Sequence, residues 1–282
     1  MITRKGGYLT IRSDPAPQAS RQLEEEGYTV LRGVLDPAAL GALKAEVERV
    51  FDELPGDRRS ERRTPEDDLM FRYEMLNRSA SCQEMVAHPK ILEVIEPLLG
   101  EDCHVIANTA WRNPAGQPGL HGGQNWHIDA GPHVPLPECV EWPKDIPHPV
   151  FAIGTQVYLI DCGLDDGPTG VIPGSHLSGR FPPMDRRLDH ELDYNGQKIL
   201  PLIAKAGDAA LFVSDVWHRR MPTSADDAGR FFLQIHYARR DIAQRLKTTE
   251  QLNQLSDDAL SFANEARQRT VVGLHAAMFY DG

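Results

Sequence analysis

The apolar positions of this chain change their period near residue 103. Before it they recur at helical spacing. Leu40, Leu43, Val47, Val50 and Leu54 form one stripe behind Asp36-Pro37, where the carboxylate can cap free N–H groups and the proline suits a first helical position. Leu35 and Leu40 stand where a hydrophobic staple would form, and Pro55-Gly56 stops the helix. A second helix is predicted from Pro89 through Ile91, Leu92, Ile95 and Leu99 to Gly100. Residues 57–63 between them read as a solvated, charged loop. From Cys103 onward short apolar runs are cut by Gly, Pro and Asp, which predicts strands at 103–111, 125–130, 151–161, 198–203, 208–214 and 230–238. The chain then returns to helix, with Thr248-x-x-Gln251 as a capping box.

Many short strands without interleaved helices predict a mainly β fold with flanking helices, a sandwich or jelly roll rather than a parallel α/β sheet. The expectation is one domain over 1–282, with a helical part at about 18–100, a β core at about 103–240 and a C-terminal helix at about 248–266. With 282 residues, 41% hydrophobic and 25% charged, the chain can bury a core without staples. Its net charge of −11, from 41 acidic and 30 basic residues, argues against nucleic acid as a partner, because a phosphate backbone needs a basic face. Cys82, Cys103, Cys139 and Cys162 form no Cys-x-x-Cys pair and no evident disulfide framework, which suggests a reducing, cytoplasmic setting. The first eight residues lack the apolar stretch of a signal peptide. The most apolar run, 150–160, is too short and too polar to cross a membrane. Oligomeric state is not legible.

Of 11 histidines, His127 alone is followed two places later by a carboxylate, Asp129. On a strand those two side chains project from the same face and can meet one ion, although a surface His beside a surface Asp would look the same. A third ligand should come from a distant strand. His218, 89 residues on (218 − 129), follows the apolar run Ala209–Val213 and sits at a core strand's end. Two histidines and one carboxylate on one side of an ion leave positions open, which suits iron(II) handling dioxygen better than a closed structural zinc. Arg230 opens the apolar run that follows, and its fork could grip a carboxylate co-substrate or simply point to water.

These residues lie in a longer pattern. Gly27 to Asp36, Trp126-His127-Ile128-Asp129, Asp166-Gly167-Pro168 through Pro173-Gly174-Ser175-His176, and Gly207-Asp208 through His218 to Arg230 and His236-Tyr237 occur in the order seen in one family. Over roughly residues 20–240 the chain resembles the phytanoyl-CoA dioxygenase family of iron(II)/2-oxoglutarate oxygenases. That resemblance implies a double-stranded β-helix, a cupin-like jelly roll, with Fe(II) held by His127, Asp129 and His218. It implies 2-oxoglutarate as co-substrate, its far carboxylate on Arg230 and a weaker polar contact from Asn108, with O2 as oxidant. The products would be succinate, CO2 and a hydroxylated or otherwise oxidised small metabolite, such as a natural-product intermediate. Asp129 likens the site to hydroxylases rather than to halogenating relatives, which lack that carboxylate. Two departures stand out: Arg219 and Arg220 follow the distal histidine where the family has small residues, one offering a hydroxyl to the co-substrate, and the offset to Arg230 is about one residue longer than in the family. Arg219 or Arg220 could therefore compete with Arg230 for the carboxylate.

Around the metal, the Pro-rich loop 130–149 is a candidate lid. Arg180, Trp111, Arg112 and Trp126 are candidate substrate contacts. Two other classes compete with the oxygenase: a metal-dependent hydrolase or isomerase on a cupin-like barrel, and a non-catalytic jelly-roll binding protein.

Overall fold

In the computed structural model, which describes residues 2–5, 8–11, 16–53, 70–116, 124–244 and 255–275, the change of period becomes a change of layer. A hairpin of β1 (Ile2–Lys5) and β2 (Tyr8–Ile11) precedes the helices. Helix α1 (Gln18–Glu26) ends at Gly27, whose φ of +85° suits glycine and turns the chain into β3 (Tyr28–Leu31). Helix α2 (Pro37–Glu53) begins as expected. Asp36 Oδ1 accepts from the N–H groups of Ala38 and Ala39, both at 2.9 Å, and Leu43, Val47 and Val50 are buried. After β4 (Phe71–Tyr73) come two short helices, α3 (Met75–Arg78) and α4 (Ala80–Val86), then α5 (Pro89–Leu99), which buries Ile91, Leu92, Ile95 and Leu99. At the other end, among the described residues, only the short α6 (Asp257–Leu260) lies within the helix expected at about 248–266, and a second short helix, α7 (Ala266–Val271), begins where that one was expected to end. Loop 57–63 and the Thr248–Gln251 capping box lie outside the described residues.

The strands build two facing sheets. β5 (His104–Asn113), β6 (Ala152–Tyr158), β9 (Ala209–Val213) and β11 (Arg230–Ala238) join β3 and β4 in an antiparallel sheet of order β3-β9-β6-β11-β5-β4. β3 and β4 come from the region expected to be helical and form its two edges. The opposing sheet is small: β10 (His218–Arg220), β7 (Thr169–Val171) and β8 (Leu200–Pro201), in the order β10-β7-β8. Segment 125–130 is not the expected strand. It touches this sheet through one antiparallel bridge, His127 to His218.

Side-chain alternation on the large sheet separates two environments. On β11, Phe231, Leu233, Ile235 and Tyr237 pack into the core shared with the helices. Their neighbours Arg230, Phe232, Gln234 and His236 line a cavity facing the small sheet. Both faces are therefore covered, which is why β9 and β11 read as nearly continuous apolar runs. No helix among the described residues is long and apolar enough to cross a membrane.

The Pro-Gly-Ser-His turn docks on α1. Gly174 N–H donates to Glu26 O at 2.9 Å, and His176 Nε2 lies 3.0 Å from Glu24 O. A Cβ on Gly27 would meet His176 Nδ1 at 2.7 Å, so the close approach also needs glycine there. His176 is buried, its ring 5.5 Å from that of His148, and burial pushes its pKa down to about 4. The unfolded chain, with an ordinary histidine pKa near 6.5, takes up that proton first. Stability is then present above about pH 6.5 and lost as pH falls toward 4, by an amount on the order of 3 kcal/mol from this group. Melting temperature measured from pH 7.5 to 4.5 should fall more steeply for the wild type than for His176→Gln; parallel profiles would contradict the assignment.

Candidate active site

A cavity of about 330 Å³ opens between the two sheets. The large sheet contributes Trp111, Gln156, Phe212, Arg230, Gln234 and His236; the facing wall contributes His127, Asp129, His218, Arg219 and Arg220. Three backbone hydrogen bonds set the second wall. His127 and His218 exchange N–H···O bonds in both directions at 3.0 Å, and Asp129 N–H donates to Ser214 O at 3.1 Å. The tripeptide 127–129 is thus held beside His218, too short for a strand but with the same outcome. The two imidazole centroids stand 4.3 Å apart.

Asp129 Oδ1 lies 3.3 Å from His218 Nε2 and 3.9 Å from His127 Nε2. All three ligand atoms fall within 4.8 Å of one another, and this is the one such group among the described residues. Each histidine is oriented from behind: His127 Nδ1 lies 2.7 Å from Asn125 O and His218 Nδ1 3.0 Å from Val216 O. A carbonyl can only accept, so Nδ1 carries a hydrogen, and Nε2 is the ring atom turned toward the carboxylate. That is the donor set a divalent ion needs, with two neutral imidazoles and one carboxylate on one side. Burial would raise the Asp129 carboxyl, but the surrounding imidazoles of His218, His236 and His127 outweigh it and hold the group ionised well below its ordinary range. Burial lowers His127, whereas in His218 the attraction of Asp129 outweighs burial and raises the pKa.

The sequence reading missed His236 as a site residue. Its Nδ1 lies 3.7 Å from Asp129 Oδ2, and its Nε2 lies 2.9 Å from Gln234 Nε2. The available signal was parity, since residue 236 shares with 230 the inward face of a strand.

At the far end of the cavity Arg230 is buried. Its Nε donates to Asn113 Oδ1 at 3.1 Å, NH1 donates to Gly167 O at 3.0 Å, and the guanidinium lies 4.9 Å over the Phe232 ring. Arg220 stands close by, and burial together with the like charge of Arg230 pushes its pKa down to about 9. Arg219 lies 5.6 Å over the Trp126 ring. Asn108 lines the cavity, and its amide oxygen, turned toward α3, accepts from Met75 N–H at 2.9 Å and Leu76 N–H at 3.0 Å.

The four candidate substrate contacts separate. Trp111 lines the cavity, its Nε1 donating to Thr109 Oγ1 at 2.9 Å. Arg112, one residue on, points to the other face, 4.3 Å over the Phe51 ring. Trp126 is packed among Ile128, Ile172 and Trp217 and donates to Asp189 O at 2.7 Å. Arg180 is engaged with loop 130–149, donating to the carbonyls of Pro137 and Glu138, while its own carbonyl accepts from Trp217 Nε1 at 2.8 Å. The same loop is tied at its start, where His133 donates to Asp215 and stacks on Phe151 with centroids 5.0 Å apart.

The model of the phytanoyl-CoA dioxygenase family matches residues 23–228, well over half of the sequence. The chain belongs to the phytanoyl-CoA dioxygenase family. It is a non-haem iron oxygenase of the 2-oxoglutarate-dependent class, with iron(II), 2-oxoglutarate and dioxygen as its reactive set. It is 23% identical over 253 residues to the ectoine dioxygenase of Nocardia farcinica (strain IFM 10152), covering 77% of this chain and 81% of that protein. Among solved structures it is similar to the epimerase SnoN in complex with Fe3+, alpha ketoglutarate and nogalamycin RO. The TM-score is 0.61 at 17% identity, over 92% of this chain and 91% of that one. It is similar also to HygX from Streptomyces hygroscopicus with nickel and 2-oxoglutarate bound, with a TM-score of 0.60 at 14% identity over 82% of this chain and 90% of the other. These structural likenesses support the cupin-like jelly roll.

Removing an outer partner of a metal ligand costs roughly 10–100-fold in affinity. Calorimetric titration of the metal-free protein with iron(II) under nitrogen should show at least that loss for His127→Ala, Asp129→Ala and His218→Ala, with unchanged circular dichroism. Wild-type affinity in any one of them would remove that residue from the metal site.

Proposed function

We propose that this oxygenase hydroxylates a C–H bond of a small metabolite, with His127 Nε2, Asp129 and His218 Nε2 as the iron ligands and Arg230 as anchor for the far carboxylate of 2-oxoglutarate. The observation that carries the reading is the convergence of three oriented ligand atoms at one end of a cavity whose other end is a buried guanidinium. When bound, iron(II) with 2-oxoglutarate supplies the oxidant, and the overall balance is R–H + O2 + 2-oxoglutarate → R–OH + succinate + CO2.

The protein's own share is positioning and shielding. The carbonyls of Asn125 and Val216 fix the hydrogen on Nδ1 and aim both imidazoles, so the ligand geometry is set in advance. Asp129 stays charged at any working pH and neutralises part of a divalent charge. Phe212 packs its ring 4.7 Å from that of His218 and keeps water from the back of the imidazole. Asn108 braces α3 against β5 and so fixes the cavity rim. Gln156 Oε1, accepting from Tyr158 and Thr169 at 2.9 Å each, holds the floor between the two sheets. Trp111, Gln234 and Gln124 give the mouth a mixed polar and aromatic lining, which suits a small polar substrate.

The test is succinate release from iron(II), 2-oxoglutarate and oxygen across a panel of small polar metabolites, paired with mass spectrometry for a product 16 Da heavier. Succinate and product should form one for one, and Asp129→Ala should reduce both by at least about 1,000-fold. Substrate conversion that needs no 2-oxoglutarate, and survives in Arg230→Ala, would favour the hydrolase or isomerase class.

A further inference from the structure

Beside Arg230 stands a second arginine that the family pattern does not lead one to expect. Residues two apart on a strand share a face, so Arg220 follows His218 toward the cavity, which it lines. It is only 4% exposed, and its Nε and NH2 are buried without a partner. Asp227, the acidic group whose field reaches it, is not its counter-ion. Asp227 Oδ1 accepts from Gly229 N–H at 2.7 Å, and its Oδ2 is likewise buried with no partner.

The two guanidiniums meet at Gly167. Arg230 NH1 donates to the Gly167 carbonyl at 3.0 Å, and a Cβ built on Gly167 would lie 3.1 Å from Arg220 Nε. Glycine there, at φ +65°, lets both side chains approach one point of the backbone. Arg230 has already committed Nε and one hydrogen of NH1 to the protein. Arg220 has committed nothing that the described residues accept. A buried guanidinium with orphaned N–H groups beside a like charge costs free energy until an anion joins the pair. A carboxylate has about four lone-pair sites and can take both forks at once.

We propose that Arg220 and Arg230 form a single two-guanidinium seat for a carboxylate, so that Arg220 is a second binding residue for the far end of 2-oxoglutarate and of its product succinate. This rests on the assignment of 2-oxoglutarate to the cavity given above. The seat distinguishes a dicarboxylate from a 2-oxo acid that lacks the second carboxylate. Until an anion arrives, Arg220 keeps buried N–H groups that no acceptor satisfies.

The experiment is isothermal titration calorimetry of the iron(II)-loaded protein under nitrogen with 2-oxoglutarate and with 2-oxobutyrate, which keeps the keto-acid end and lacks the distal carboxylate. Arg220→Met should weaken 2-oxoglutarate by about 10- to 100-fold and leave 2-oxobutyrate unchanged, with partial recovery in Arg220→Lys. In parallel melts without ligand, Arg220→Met should melt higher than the wild type, and succinate should stabilise the wild type far more than the variant. Unchanged 2-oxoglutarate affinity in Arg220→Met would overturn the seat. So would equal losses for both ligands, or a lower ligand-free melting temperature, since either marks a structural role. If the wild type binds neither ligand, the assignment of 2-oxoglutarate to this cavity fails and the seat with it, a result distinguishable from failure of Arg220 alone.

Discussion

Two reciprocal backbone hydrogen bonds between His127 and His218, reinforced by Asp129 on Ser214, join an irregular segment to the last short strand of the small sheet. Everything at the metal end of the cavity hangs on that pairing. It places two imidazoles and a carboxylate from sites 89 residues apart (218 − 129) in one volume, and it closes the sandwich where the small sheet is only three residues deep. The large sheet provides the rigidity against which so slight an element can be precise. Its outer face is anchored in the helical core, so its inner face presents Arg230, Gln234 and His236 at fixed spacing.

The cavity is electrically polarised along its length. One end gathers three imidazoles around a carboxylate held firmly ionised; the other gathers two guanidiniums, of which that of Arg220 has N–H groups without a partner. A molecule with a chelating end and an anionic end fits that polarity in one direction only. Orientation of such a molecule is then decided by charge before any shape complementarity operates, and the low polarisability of the interior strengthens the preference.

The sequence made the periodic parts of this architecture legible. The capped α2, the α5 stripe and the long strands β5, β6, β9 and β11 each contain enough residues for a period to show. Elements of three residues, β7 and β10, contain no period, and β4 was hidden between helices, whereas β3 lies in the Gly27–Asp36 stretch that resembles the family's entry strand. The His-x-Asp tripeptide pointed to a strand face, whereas the structure reaches the same side-chain arrangement through one bridge and one further bond. His236 stands in the family pattern only as the end of a strand, and its place at the site follows from the parity it shares with Arg230 on β11. Arg180, Arg112 and Trp126 have the right chemistry for substrate contact, yet a loop, the outer sheet face and a local core claim them. Nothing in a linear sequence distinguishes a guanidinium spent on carbonyls from one left unpaired; that difference between Arg180 and Arg220 exists only in three dimensions.

The central claim is that the triad and the guanidinium end act on one bound 2-oxoglutarate. The visible absorption spectrum of metal-free protein given iron(II) and then 2-oxoglutarate without oxygen tests it most directly, with His218→Ala as control. The account predicts a new charge-transfer band in the wild type on addition of 2-oxoglutarate and none in the variant. Iron(II) binding without any such band in the wild type would contradict it, leaving a metal site on a jelly roll with a different chemistry.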